Sequence, residues 1–316
     1  MVAPRRAALI RCAPTFWTCP DLVFQMLRFM SFVDLVKYSE LNRTAQRLFK
    51  IYIHGRIARY TSPFFTAGAV RNGRIVRLFQ VLEQTSSWVV GSVPLAVVSV
   101  LSDVPQPGNL NIITLEKHAY RWLRFFIEEC GFGLDADVWA SGAYAAAGFR
   151  YITFVHPSKR GQQVTVTTSE DTHLGSLFFA APNTDQQIAI AAHQIISPYP
   201  TTVSDQAHLA GLRPAEIQHP ALPKIVHSTY RETARFPGAT TLSRSTVDLG
   251  RPCGKLCPGV WRSARGLKGV GRVMWGGADG MDWDIDLMLV KVGHSRLKFR
   301  LGVKCENPLC KTSVVA

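Results

Sequence analysis

The stretch that most constrains this chain is residues 89–113, VVGSVPLAVVSVLSDVPQPGNLNII. An apolar run ends in Gly91-Ser92. A helix-compatible stretch follows over residues 95–101, opening near Pro94, where proline is tolerated. Residues 105–108 break it with two prolines and a glycine. A second apolar run, 110–113, then reads as a strand. Strand, short helix and strand in so little chain predict an α/β layer, and the flanks continue the alternation. Residues 74–85 have the spacing of an amphipathic helix. Residues 88–90 read as a short buried strand. Residues 115–130 predict a long helix with Glu116, Lys117 and Arg121 outward. Residues 149–155 (FRYITFV) and 164–168 (VTVTT) predict a hairpin across 158–161. Residues 184–192 predict one more helix.

Asn109 and Asn111 stand at i and i+2 of the second strand, so both face one side of it. Over residues 73–200 the element order resembles the nucleotidyltransferase fold of the polymerase β type. The resemblance implies that a Gly-Ser turn, here Gly91-Ser92, holds nucleotide phosphates. It also implies two carboxylates at i and i+2 of the second strand, and a third on a later strand, to hold Mg²⁺. Mg²⁺ favours anionic oxygen ligands, and two bridging ions stabilise charge in phosphoryl transfer. This chain has Asn109 and Asn111 instead. Residues 164–168 contain no acid, although Glu170 and Asp171 follow. The 16 residues between Ser92 and Asn109 exceed the family's usual spacing. The expectation is a kept fold with lost chemistry: no enzyme and no catalytic cofactor. A generic α/β unit, with Asn109 capping a strand after Gly108, remains the other reading. A pair of carboxylates at i and i+2 does occur in residues 274–290, MWGGADGMDWDIDLMLV, as Asp284 and Asp286. Six residues after Gly277 cannot hold the connecting helix, so a polar acidic loop is expected there.

Residues 20–50 predict two or three short helices. Leu22, Val23, Met26, Leu27 and Met30 recur at helical spacing. Ser31 is a plausible N-cap with Asp34 at the third position. Leu35, Val36, Tyr38, Leu41, Ala45 and Leu48 continue a helical face. The segment resembles an F-box in Pro20-Asp21-Leu22, residues 26–30, residues 31–35, and Asn42-Arg43 through Leu48. The resemblance implies docking onto a Skp1-type adaptor of a ubiquitin ligase through exposed Pro20, Leu22 and Leu35. A bundle that simply packs on the rest of the chain is the alternative.

The C-terminal region has Cys253-x3-Cys257 and Cys305-x4-Cys310, with 47 residues between the pairs. Residues 297–303 alternate like a strand. Four thiolates from two turns match the tetrahedral set of structural zinc, with His294 a conceivable substitute. Reduced thiols that merely lie near each other are the competing reading. Cys12, Cys19 and Cys130 are scattered, and Cys130 should be core. Seven cysteines, an odd number, do not suggest a secreted disulfide framework. A reducing, intracellular compartment is expected, cytoplasmic or nuclear, with a mitochondrial presequence left open by the Arg-bearing start. Trp261, Arg262, Arg265, Lys268, Arg272 and Trp275 form a basic run, either a nucleic-acid surface or a solvated loop.

The net charge of +14 is uneven. Residues 1–72 hold 11 Lys/Arg against 3 Asp/Glu, residues 73–223 hold 9 against 12, and residues 224–316 hold 16 against 7. Two basic ends can meet nucleic acid, anionic lipid or acidic protein, whereas the mildly acidic middle argues against triphosphate or nucleic acid. No apolar run approaches the roughly 20 residues of a membrane span.

The resulting expectation is an α+β protein. Residues 1–19 form an extension, 20–62 an F-box-like helical unit and 73–200 a nucleotidyltransferase-like α/β domain with a mixed sheet. Residues 201–240 form a linker or irregular segment, and 241–316 a β-rich region with the cysteine pairs. This order of parts resembles a group of fungal proteins. It implies a non-catalytic protein-interaction module. A divergent metal-dependent nucleotidyltransferase and a zinc-stabilised nucleic-acid binder are the alternatives.

Overall fold

The computed structural model describes residues 19–65, 69–99, 106–139, 149–157, 161–170, 174, 177–178 and 187–197, with short strands beyond. Three helices open the described part. Helix α1 (Pro20–Arg28) begins on proline and buries Val23 and Leu27, one turn apart. Helix α2 (Phe32–Ser39) is capped by Ser31, whose Oγ accepts from the Asp34 amide at 3.1 Å and donates to its carboxylate at 2.7 Å. It buries Phe32, Leu35 and Tyr38. Helix α3 (Arg43–Thr61) starts where Asn42 Oδ1 accepts from the Ala45 amide at 2.8 Å. The helical face read from Leu35 to Leu48 is thus divided between two helices, and Leu41 is left exposed between them.

Helix α4 (Ala69–Thr85) leads into β1 (Trp88–Val90), α5 (Ser92–Val98) and β2 (Asn109–Leu115). Helix α5 starts three residues earlier than its apolar pattern suggested, because Gly91 ends the strand and Pro94 fits the first turn. Residues 116–129 are helical in three pieces: a 3-10 turn (Glu116–His118), α6 (Ala119–Arg124) and a π-turn (Phe125–Glu129). The wide turn places Phe125 and Phe126 next to each other in the core, against Trp122, Phe132 and Phe154. Glu116 does not point to open solvent as expected but takes a guanidinium, described below.

Strand β3 (Gly133–Trp139) was not apparent from the sequence. It pairs with β4 (Phe149–Val155), which forms the expected hairpin with β5 (Gln163–Ser169). The helix expected over 184–192 is instead extended from Gln187 into β6 (Ala189–Ile190). Ile188, Ala189 and Ile190 are all buried. A strand covered on both faces loses its polar alternation and reads as a bare apolar run. Strands β7 (Gln194–Ser197) and β12 (Gly271–Met274) complete an eight-stranded sheet, ordered β12-β7-β6-β1-β2-β5-β4-β3. Its β2–β5 pair is parallel and its other pairs antiparallel, so the sheet is mixed. Strands β8 (Ala207–His208) and β10 (Thr240–Thr241) pair with each other. Strands β9 (Pro214–Gln218), β11 (Arg262–Ser263) and β13 (Lys298–Leu301) form a small sheet of their own. Strand β13 lies inside the stretch read as a strand from its alternation.

One hydrophobic cluster runs from Val23 and Leu27 through Phe49 and Ile53 to Val89, Ile112, Trp122, Phe154 and Ile190. The N-terminal helices and the sheet thus share a core. Arg56 of α3 adds a polar tie, donating to the Ala96 carbonyl of α5 at 2.7 Å.

Candidate functional site

The turn between β1 and α5 is fixed by Gly91, at φ +81° and ψ −137°. Only glycine adopts such a backbone without strain. Space dictates the same residue, since a Cβ on Gly91 would lie 2.9 Å from Asn111 Nδ2. The register makes this approach inevitable, because Val90 pairs with Asn111 across the β1–β2 ladder. Ser92 follows and donates from Oγ to Asn109 Oδ1 at 3.0 Å. Asn109 Nδ2 in turn donates to Asn111 Oδ1 at 3.3 Å. Of the four positions singled out in the sequence, Ser92, Asn109 and Asn111 therefore form a single hydrogen-bonded chain, and Gly91 lies against Asn111 at its end. Across the parallel pair, Thr165 of β5 stands beside Asn111 and Gln163 beside Asn109. Strand β5 supplies no carboxylate here, and Glu170 is exposed just past its end.

A hard dication needs anionic oxygens. This strip offers neutral amides, and both amide oxygens already accept a hydrogen bond. The donor set fits a clasp between turn and strand better than a Mg²⁺ site. No protein-family model, curated protein or solved structure matches the chain.

At the N-terminal helices, Pro20 is exposed and Leu22 is 48% exposed, as a docking role requires. Leu35 is 0% exposed, which corrects its expected place on the surface. Helix α2 turns its apolar side inward, so Leu35 fills the core beside Phe32 and Tyr38 and cannot touch a partner. Sequence reasoning missed Phe29, 80% exposed at the end of α1. It also missed a groove of about 590 Å³ beside α1 and α3. Pro20, Phe24, Leu48 and Ile51 give it an apolar lining, joined by Arg43, Thr44 and Arg47. One signal was present: α3 holds five Lys/Arg and no acid in 19 residues.

A second polar cluster lies near the far edge of the sheet. Arg150 of β4 donates to both carboxylate oxygens of Asp137 on β3 at 2.6 Å, and to Glu116 at 2.5 Å. Thr168 donates to the other oxygen of Glu116, and the Arg150 guanidinium lies over the Trp139 ring. The hydrogen bond from Arg150 holds the Asp137 carboxyl below the usual range. The same bond, with help from Glu116, raises the guanidinium further. These are the contacts of a structural pin rather than of a proton-transfer pair.

Cys253, Cys257, Cys305 and Cys310 lie outside the described residues, as do His294 and Asp284 and Asp286. Of the basic run, Arg262 and Arg272 fall in β11 and β12 and the others lie outside. Among the described residues no group of three His, Cys, Asp or Glu could hold a metal. Cys130 is buried as expected, and burial pushes its thiol up to about 12, which makes it a poor nucleophile. No described helix is long and apolar enough to cross a membrane.

Proposed function

We propose that this protein is a non-catalytic protein-interaction module. Its N-terminal helices dock a partner, and its nucleotidyltransferase-like sheet acts as scaffold. The observation that carries the reading is the Ser92–Asn109–Asn111 chain. Where phosphoryl transfer needs two free carboxylates on one strand face, neutral amides bind each other and the Gly91 turn. The exposed apolar side chains of α1 and α3 support docking as the remaining role. The F-box-like pattern makes a Skp1-type adaptor the partner to test first, and Pro20 and Leu22 the residues to alter.

Deleting α1 to α3 is a poor test, because it would uncover the shared core. Leu22→Asp changes an exposed position instead. Purified full-length chain should co-elute with a Skp1-type adaptor, and Leu22→Asp should reduce the retained fraction without lowering the melting temperature. An adaptor that fails to co-elute with the wild-type chain would remove the adaptor assignment. Mg²⁺-dependent nucleotide incorporation that Asn109→Ala abolishes would overturn the non-catalytic reading itself.

A further inference from the structure

We propose that the groove beside α1 and α3 receives an acidic, amphipathic segment of a partner protein. The inference rests on reading the N-terminal helices as a docking unit, and it specifies the chemistry that this unit accepts. The floor comes first. Pro20, Phe24, Leu48 and Ile51 present an apolar surface, and Ile51 is 51% exposed. Phe24 stacks on Tyr52 of α3 with ring centroids 6.4 Å apart, so α1 and α3 are fixed against each other and the groove is formed before anything binds. A preformed apolar groove takes aliphatic or aromatic side chains spaced about one helical turn apart.

Charge then selects among apolar segments. Arg43 and Arg47 stand one turn apart on α3 and line the same groove. Among the described residues neither makes an ion pair. Arg43 is the first residue of α3, whose first turn carries no acid. Cations at that end oppose the helix dipole, and the chain tolerates the arrangement without a carboxylate of its own there. An incoming carboxylate would meet the dipole and two guanidiniums together, in a place that apolar contacts partly shield from water. Arginine suits this because its planar fork binds a carboxylate through two hydrogen bonds. Nucleic acid fits less well. A phosphate backbone would use the arginines but leave the aliphatic floor of the groove unoccupied.

The test uses the full-length chain and a random peptide library displayed on phage. Selected peptides should be enriched in Asp or Glu next to aliphatic residues at helical spacing. Arg43→Glu with Arg47→Glu should weaken their binding about tenfold. Changing the peptide carboxylates to Lys should then restore binding to the reversed chain. Matching melting temperatures would separate this loss from misfolding. Peptides with no acidic preference, or with binding indifferent to the double reversal, would overturn the proposal. So would polyuridylate binding that the reversal abolishes while no peptide is enriched, which would reassign the arginines to nucleic acid. A synthetic peptide of residues 279–288, acidic and apolar by sequence, binding more tightly than every selected peptide would reassign the groove to the chain itself. Peptide binding without adaptor co-elution would leave this inference standing while the adaptor assignment fell. Adaptor co-elution undiminished by the reversal would place the adaptor elsewhere.

Discussion

At the scale of single residues, Gly91 is the most constrained position in the site. Two costs coincide there, a left-handed backbone and a Cβ 2.9 Å from Asn111 Nδ2. Gly91→Ala should destabilise the chain by about 1–3 kcal/mol, read as a lower urea midpoint. Adding Asn111→Ala should recover the steric part and leave the dihedral part. Full recovery in the double variant would mean that the backbone is unstrained. That Asn109 and Asn111 share a face was legible, because alternation along a strand is a rule of geometry. The donation from Ser92 was not. It depends on where the first turn of α5 lies over β2, and sequence spacing carries no such coordinate. Leu35 was misplaced for another reason: the F-box resemblance implied exposure, whereas its apolar spacing with Tyr38 already marked an inward helix face.

Among the elements, β3 depends on Arg150. The strand lies at the sheet edge with nearly every residue exposed, so apolar burial contributes little to holding it. Arg150→Met would leave the Asp137 and Glu116 carboxylates without their guanidinium. It should cost about 1–2 kcal/mol at neutral pH. Because Asp137 is depressed in the folded state, its contribution is complete above the unfolded carboxylate value of about 4. The contribution disappears as pH falls through the lower folded value. The gap between wild type and Arg150→Met should therefore close on acidification, as urea midpoints across that range would show. A gap that stays constant or widens in acid would contradict the assignment. A signal for β3 was present, since Leu134, Ala136 and Val138 alternate with Asp135 and Asp137. Glycine and aspartate are poor strand formers, so the alternation was outweighed. Strands β1 and β2 were legible from their buried apolar runs, and β4 and β5 from buried residues that alternate with less buried ones. Strand β6 was misread because it is buried on every side.

For the molecule as a whole, the two cysteine pairs supply a test independent of the groove and the clasp. If Cys253, Cys257, Cys305 and Cys310 share a metal, elemental analysis of purified protein should find about one zinc per chain. Cys253→Ser should lose it. Full zinc content in that variant would exclude the four-thiolate set. The shared core carries a different consequence. Docking helices that formed a separate bead on a linker could exchange partners without the sheet responding. Here Phe49 and Ile53 belong to the same cluster as Ile112 and Phe154. A ligand that binds only the folded helices must therefore brace the sheet as well, by the mass-action factor that links occupancy to unfolding. Free chain and occupied chain then differ in lifetime as well as in company, and abundance in the cell becomes a readout of whether the groove is filled.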